Sequence, residues 1–430
     1  MLLQLAAACG ASAQPAPATL TPASGEAFAA RLLGFDDQRI AATRPGSDGD
    51  GDGGGGGDAR ASLPMTQVVR WGQPAPRAPR PTVVLRQGSR LVAGPAWTRD
   101  GPLSYTGGAF TLRQSLLAEA TIDRRVVAQV LFEAARDPSL FDAALQEASR
   151  RVASAQTTAG GDRVWLINGD AFNGALEQID AGKLTLRSGG QPLEFDLTRV
   201  VLLQLEQPGE VSARRSPRVA IGLTDGGVLL AGSASLQPGG KLVADLVEGP
   251  RLQGRRAGAV CLVQPLAGAV AYLSDIEPLD YRHTPYFDAA WPYARDRGFG
   301  GRPLRAAGGR WLKGVAMHSS SRLVYRVPPT AERFDAVLAV ADNRPGSGDA
   351  VGRGSVVARV LIARGGKFSQ RYESGVIRGG GRPVTVSLDV AGAQAIALVV
   401  EDAGDGDTLD HAAWLDARFV IRGAAASNGG

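Results

Sequence analysis

Four lysines, three histidines, three methionines and two cysteines are all that this chain of 430 residues holds of those types. Two cysteines, Cys9 and Cys261, are too few for a disulfide framework, and with three histidines they build no zinc site of the Cys/His kind. The positive charge is almost all arginine, and the net excess of +5 is scattered. No run of basic residues interleaved with aromatics makes the stripe that nucleic acid favours, so nucleic acid is not an expected partner. No stretch reaches the ~20 apolar residues of a transmembrane helix. G-x-S-x-G is absent, and no paired-acid motif stands out for the two carboxyls roughly 5–9.5 Å apart that a glycoside hydrolase needs.

What is present describes a globular chain of several domains, 44% hydrophobic and 21% charged. The start, MLLQLAAACGASAQPAP, is an apolar run ending in the small-x-small pattern Ala11-Ser12-Ala13. This predicts a signal peptide over 1–13 and an exported protein of the periplasm, cell surface or extracellular space. Acylation of Cys9 is the alternative reading of the same run. Cys261, in AGAVCLVQPL, reads as a small buried hydrophobe.

Residues 14–81, rich in Ala, Pro, Gly and Asp, read as a disordered linker, most plainly at GSDGDGDGGGGGD (46–58). Its DGDGDG start matches half an EF-hand loop, but Ala59 stands where the bidentate Glu belongs. An internal repeat follows. VVLRQGSRLVAG (83–94), WLINGDAFNGALEQIDAGKLTLRS (165–188) and AIGLTDGGVLLAG (220–232) share short β-rich runs around Gly and Asp turns. They predict small, bent, SH3- or Sm-like units over 82–158, 159–210 and 211–269. Asp137-Pro138 caps one predicted helix, 138–155, with Leu140, Phe141, Ala144, Leu145, Ala148 and Val152 at helical spacing.

After residue 270 the composition changes. All three histidines, His283, His318 and His411, and six of the seven tyrosines lie there. Runs such as RFDAVLAVAD (333–342), GSVVARVLIARGG (354–366) and AIALVVEDAG (395–404) predict an antiparallel β-sandwich over 270–422, with a disordered tail at 423–430. Alternation along the last strand puts Trp414 and Asp416 on one face, with Trp414 as core. His318, at an apparent strand start, is either a core hydrogen-bonding residue or a ligand contact. Tyr281, His283, Tyr286, Trp291 and Tyr293 lie in a loop stiffened by Pro285 and Pro292. Aromatics held this way either present a sugar platform or plug one end of the sandwich.

The order of YLSDIEPLDYRHTPYFDAAWPY, GGRWLKGVAMHSSSRLVYRV, GRGSVVARVLI and GDGDTLDHAAWLDARFVI resembles the NPCBM family of carbohydrate-binding modules. The resemblance covers about residues 270–422. It departs from the family pattern at Val315 and Ala316 in the first hallmark segment and at Ala413, which replaces an acid, in the closing strand. It implies a galactose-binding-like jelly roll, glycan binding, and attachment to exported proteins. It also implies a structural calcium, for which Asp402, Asp405, Asp407 and Asp410 are the candidate ligands. The leading expectation is an exported, non-catalytic protein that binds glycan or polysaccharide through Tyr281, His283, Tyr286, Trp291, Tyr293 and His318. The alternatives are a structural or protein-interaction protein of the cell envelope and a glycoside hydrolase chain.

Overall fold

The computed structural model describes residues 17–44, 59–78, 80–95, 101–132, 161–206, 216–238, 240–255, 257–285, 290–342 and 354–422. The predicted signal peptide, the predicted helix 138–155, the tail 423–430 and Tyr286 lie outside these residues. The chain divides into two units. The first comprises Met1–Val130, Glu177–Leu184 and Gln207–Leu266, and the second Leu131–Leu176, Thr185–Glu206 and Ala267–Gly430.

Before residue 266 the described chain is four repeats of one plan. The first repeat has β1 (Ala18–Pro22), β2 (Phe28–Phe35), β3 (Arg39–Arg44), β4 (Ala59–Pro64) and β5 (Val68–Gly72), with a single 3-10 turn at Met65–Gln67. Strand β1 pairs with both β2 and β5, closing the meander on itself. The second has β6 (Thr82–Leu85), β7 (Arg90–Val92), β8 (Leu103–Thr106), β9 (Ala109–Leu112), β10 (Ala120–Asp123) and β11 (Val127–Leu131), with β6 against β7 and β11. The third has β12 (Asp162–Leu166), β13 (Ala171–Asp180), β14 (Lys183–Ser188), β15 (Gln191–Asp196) and β16 (Val200–Gln204), with β12 against β13 and β16. The fourth has β17 (Val219–Leu223), β18 (Val228–Leu236), β19 (Leu242–Leu246), β20 (Arg251–Gln253) and β21 (Val260–Pro265), with β17 against β18 and β21.

One hydrogen bond recurs in all four repeats. The first residue after the opening strand donates its amide to the residue just before the closing strand: Ala23 to Gln67 (2.8 Å), Arg86 to Val126 (3.0 Å), Ile167 to Arg199 (2.9 Å) and Thr224 to Ala259 (2.9 Å). The turn that follows holds a left-handed glycine each time, Gly25, Gly88, Gly169 and Gly226, with φ of 88°, 102°, 89° and 83°. The linker reading of 14–81 is therefore corrected: β1–β5 occupy much of 18–72. In FAARLLGF the residues Ala30, Leu32 and Phe35 face inward, and buried Trp71 donates its indole N–H to the Ala30 carbonyl at 2.9 Å. Alanine and glycine dominate the segment, and small residues in alternation hide a strand from a composition argument.

The sandwich follows, built of two antiparallel sheets. One orders β24 (Ala294–Arg295), β27 (Gly314–His318), β34 (His411–Ile421), β29 (Ala331–Val340) and β32 (Val384–Asp389), with β22 (Val270–Tyr272) also on β34. The other orders β23 (Asp280–His283), β28 (Ser321–Arg326), β33 (Ala395–Asp402), β30 (Ser355–Arg364) and β31 (Lys367–Arg378). Trp414, Tyr325, Phe334 and Phe419 are fully buried between them, each burial contributing about 1.5–3 kcal/mol by area. On the other face of the first sheet, Ala316, Ala339 and Ala413 are small enough for Leu304, Ala306 and Trp311 to lie against the strands. Those three come from the segment carrying the β25 (Arg305–Ala306) and β26 (Gly309–Arg310) hairpin. The alternation expected along β34 stops at Asp416, a buried left-handed residue (φ 44°) where the register with β29 slips.

Candidate functional site: a histidine and aromatic cluster

Strand register alone brings the three histidines of this chain together. In the β27–β34 pair His318 stands directly opposite His411. In the β23–β28 pair His283 stands opposite Ser321, which a tight turn through Ser319 and Ser320 places just past His318. The rings end 5.3 Å apart for His318 and His411, and 5.7 Å apart for His283 and His318.

Trp291 closes this cluster. Its indole lies parallel to the His318 imidazole, 5.1 Å between centroids and 5° between planes. Phe299 meets Trp291 edge-on at 5.7 Å and packs on His411 at 4.4 Å. His318 beneath is 3% exposed, whereas Trp291 is 37% exposed. With one face covered by His318, the exposure of Trp291 lies on the other face and the rim.

The loop bearing Trp291 is fixed from both sides. Its backbone N–H donates to His283 Nδ1 at 3.2 Å, which places the proton of that imidazole on Nε2. Its carbonyl accepts from the Tyr281 hydroxyl. Tyr281 in turn packs on Tyr293 at 5.0 Å, and both rings lean on the sandwich core. Further along, Asp296 takes the Gly314 amide (3.0 Å) and buried Lys313 (2.7 Å), and Lys313 also reaches Asp275 at 2.6 Å.

Burial sets the protonation of the cluster. It lowers His411 to about 4, with the nearby His318 and Arg302 adding to the effect. His318 is lowered by burial against the hydrogen bond of Ser319 and the Asp407 charge, and His283 is lowered by burial against Asp407. All three imidazoles are therefore neutral at pH 7, and the surface they make is polar but uncharged. Burial also pushes the Tyr281 hydroxyl up to about 12, so it remains a donor.

Of the residues singled out from sequence, Tyr281, His283, Trp291, Tyr293 and His318 share this one place. They divide by role: Trp291 is the exposed ring, His318 its base, and the two tyrosines its buttress. His411 and Phe299 complete the cluster and were not among the expected site residues. His411 was legible in principle, since GVAMH and HAAW each set a histidine at a strand end, but only the register makes them meet. Phe299 follows no pattern of its own.

Of the four aspartates expected to hold calcium, three lie near one another, since the charges of Asp402 and Asp405 are felt at Asp410. Asp405 holds the Ser355 hydroxyl (2.6 and 2.7 Å), and Asp410 takes the Ser355 amide at 2.8 Å. Asp407 instead stands where its charge is felt by His283 and His318. Among the described residues no three His, Cys, Asp or Glu side chains converge on a point suited to a metal ion.

Residues 269–420 match the family model of the NPCBM/NEW2 domain, so the C-terminal module is of that family. A protein of Renibacterium salmoninarum named for endo-α-N-acetylgalactosaminidase activity is 28% identical over 120 residues, which are 28% of this chain and 7% of that protein. The chain thus spans less than a tenth of that relative. Similar solved structures include a CBM51 module of a Clostridium perfringens GH95 protein, in complex with methyl-galactose. It is 22% identical, with 35% of this chain and 99% of that one covered and a TM-score of 0.29. Another holds the second CBM51 module of C. perfringens ZmpB with GlcNAc, at 21% identity, 47% and 40% coverage and a TM-score of 0.30. No helix among the described residues is long and apolar enough to cross a membrane.

Proposed function

We propose that the NPCBM/NEW2 module binds carbohydrate, with the free face of Trp291 as the platform for a sugar ring. The observation that carries this reading is the posture of Trp291. It is a large ring laid flat on a buried imidazole, buttressed by two tyrosines and Phe299, and still 37% exposed. A sugar's C–H face stacks on an aromatic face that is rigid and open, and neutral imidazoles offer hydrogen bonds without selecting for charge. The chain as a whole is read as an exported, non-catalytic binder in which the repeats carry the module.

A glycan array probed with the full chain tests this. We expect binding to one group of glycans, weakened at least about tenfold in Trp291→Ala, which corresponds to about 1.4 kcal/mol. The melting temperature of that variant should stay close to wild type. No glycan bound, together with stable capture of an envelope protein, would replace this reading with protein interaction. Reducing sugar released from a polysaccharide panel would replace it with hydrolysis.

A further inference from the structure

The three strands β2, β3 and β4 of the first repeat carry Arg31, Arg39, Arg44 and Arg60 and not one carboxylate. Inward positions are taken by Ala30, Leu32, Ile40 and Ala42, all buried, so Arg31, Arg39 and Arg60 stand on the outer face, whereas Arg44 shares the side of Ile40 and Ala42 and lies over the Phe28 ring at 4.3 Å. Register aligns them: Arg31 pairs with Thr43, and Thr43 with Arg60, giving one row across three strands. Arg31 and Arg60 are two strand spacings apart, about 10 Å at the backbone. Between and beside them lie Thr43, Ala41 and Ser62, and Arg39 is held against Ser62 by its Nε at 3.0 Å.

The acids of the β2–β3 turn are already engaged, and those of the β3–β4 connection, Asp48, Asp50, Asp52 and Asp58, lie outside the described residues. Asp36 caps the β2–β3 turn, accepting the Gln38 and Arg39 amides at 2.8 Å each, and Asp37 accepts the Ala234 amide at 3.0 Å. Among the described residues neither Arg31 nor Arg60 has a hydrogen bond or ion pair with another side chain.

The fold itself does not require this face. The matching row of the second repeat is Ser104, Thr111 and Thr121. That of the fourth is Ser233, Asp245 and Arg251, where Asp245 lies 3.6 Å from Arg251 and cancels it. The same wiring thus carries a neutral row, a compensated row, and in the first repeat alone of these three a row of two arginines with no ion-pair partner among the described residues.

We infer that the outer face of β2–β3–β4 is a second binding surface, whose partner is an acidic polysaccharide bearing carboxylate or sulfate groups. Planar guanidinium forks on a flat strand surface suit bidentate capture of such groups at intervals along a chain. The residues between the arginines are small and aliphatic or hydroxylic, so bases would find no ring to stack on, which disfavours single-stranded nucleic acid. Choosing polysaccharide among polyanions rests on the carbohydrate reading above; the cationic face does not.

The test is retention of the full chain on immobilised heparin, with polygalacturonate and oligothymidylate in titrations. We expect wild type to bind both polysaccharides in a salt-sensitive manner. Arg31→Ala/Arg60→Ala should bind at least about tenfold more weakly and elute at clearly lower salt. Arg251→Ala, on the compensated row of the fourth repeat, should elute with wild type. Arg31→Lys/Arg60→Lys keeps the charge and should retain part of the binding, which guards against a misfolded double variant. Equal elution of wild type and the alanine variant, or absence of wild-type retention, overturns the inference. Oligothymidylate bound more tightly than either polysaccharide overturns the assigned partner class.

Discussion

The protons of His411 and Asp410, adjacent in sequence, pull stability in opposite directions. His411 sits near 4 in the folded chain against an ordinary 6.5, so between those values the unfolded chain binds a proton that the folded one refuses. Its contribution is whole above about pH 6.5 and is lost as pH falls toward 4, on the order of 2–3 kcal/mol. Asp410 runs the other way. Burial pushes its carboxyl up to about 6 from 3.8, against the hydrogen bonds of Ser355 and Ser319, so the folded chain takes this proton first. The destabilisation it imposes at neutral pH is relieved as pH falls from 6 toward 3.8. We expect the melting temperature of His411→Phe to drop less than wild type between pH 7 and 4.5, and that of Asp410→Asn to drop more. Parallel curves for all three would show that neither group is coupled to folding. Trp414 is a simpler case: it is fully buried among Phe334 and its neighbours, and Trp414→Ala should cost about 3–5 kcal/mol in denaturant titration.

At the scale of the element, the glycine turn that opens each repeat separates two costs. Gly169 (φ 89°) has nothing within 4 Å of where a Cβ would stand, so Gly169→Ala meets only the left-handed backbone penalty, about 1–2 kcal/mol. Gly226 (φ 83°) occupies the same place in the fourth repeat, but its Cβ would fall 2.3 Å from Arg77 Cα and 2.5 Å from the Pro76 carbonyl. Gly226→Ala should therefore be clearly the more destabilising of the two, read as the difference in unfolding midpoint. Equal losses would mean that the Pro76–Arg77 segment moves aside at no cost. These turns were visible in the sequence as R-Q-G-S, I-N-G-D and T-D-G-G. The first repeat escaped because its turn, S-G-E-A, lies in a stretch whose composition reads as linker, and because its β3 and β4 are parted by the Gly/Asp tract 45–58.

For the molecule as a whole, the described strands of the sandwich pair only with one another, and they enclose their own core from Leu273 to Phe419. A chain of residues 267–422 should then fold alone, melting in one cooperative transition and keeping the glycan binding proposed for Trp291. A fragment that is molten or insoluble would show that the sandwich needs the preceding chain.

Within this one chain the two sources of information divide along a physical line. Alternation of apolar residues, turn chemistry and the ordered motifs after residue 270 were enough to state a β-rich chain and a C-terminal sandwich, because each is a local property of the backbone and its neighbours. Strand register is not local. It decided that His318 faces His411 and that Arg31, Thr43 and Arg60 form a row, while hydrogen bonds to His283 and from Tyr281 lay Trp291 flat on His318. Pairing partners are chosen by the packing of faces far apart in sequence. The residues of both surfaces could thus be read in advance, while their convergence belonged to the tertiary structure.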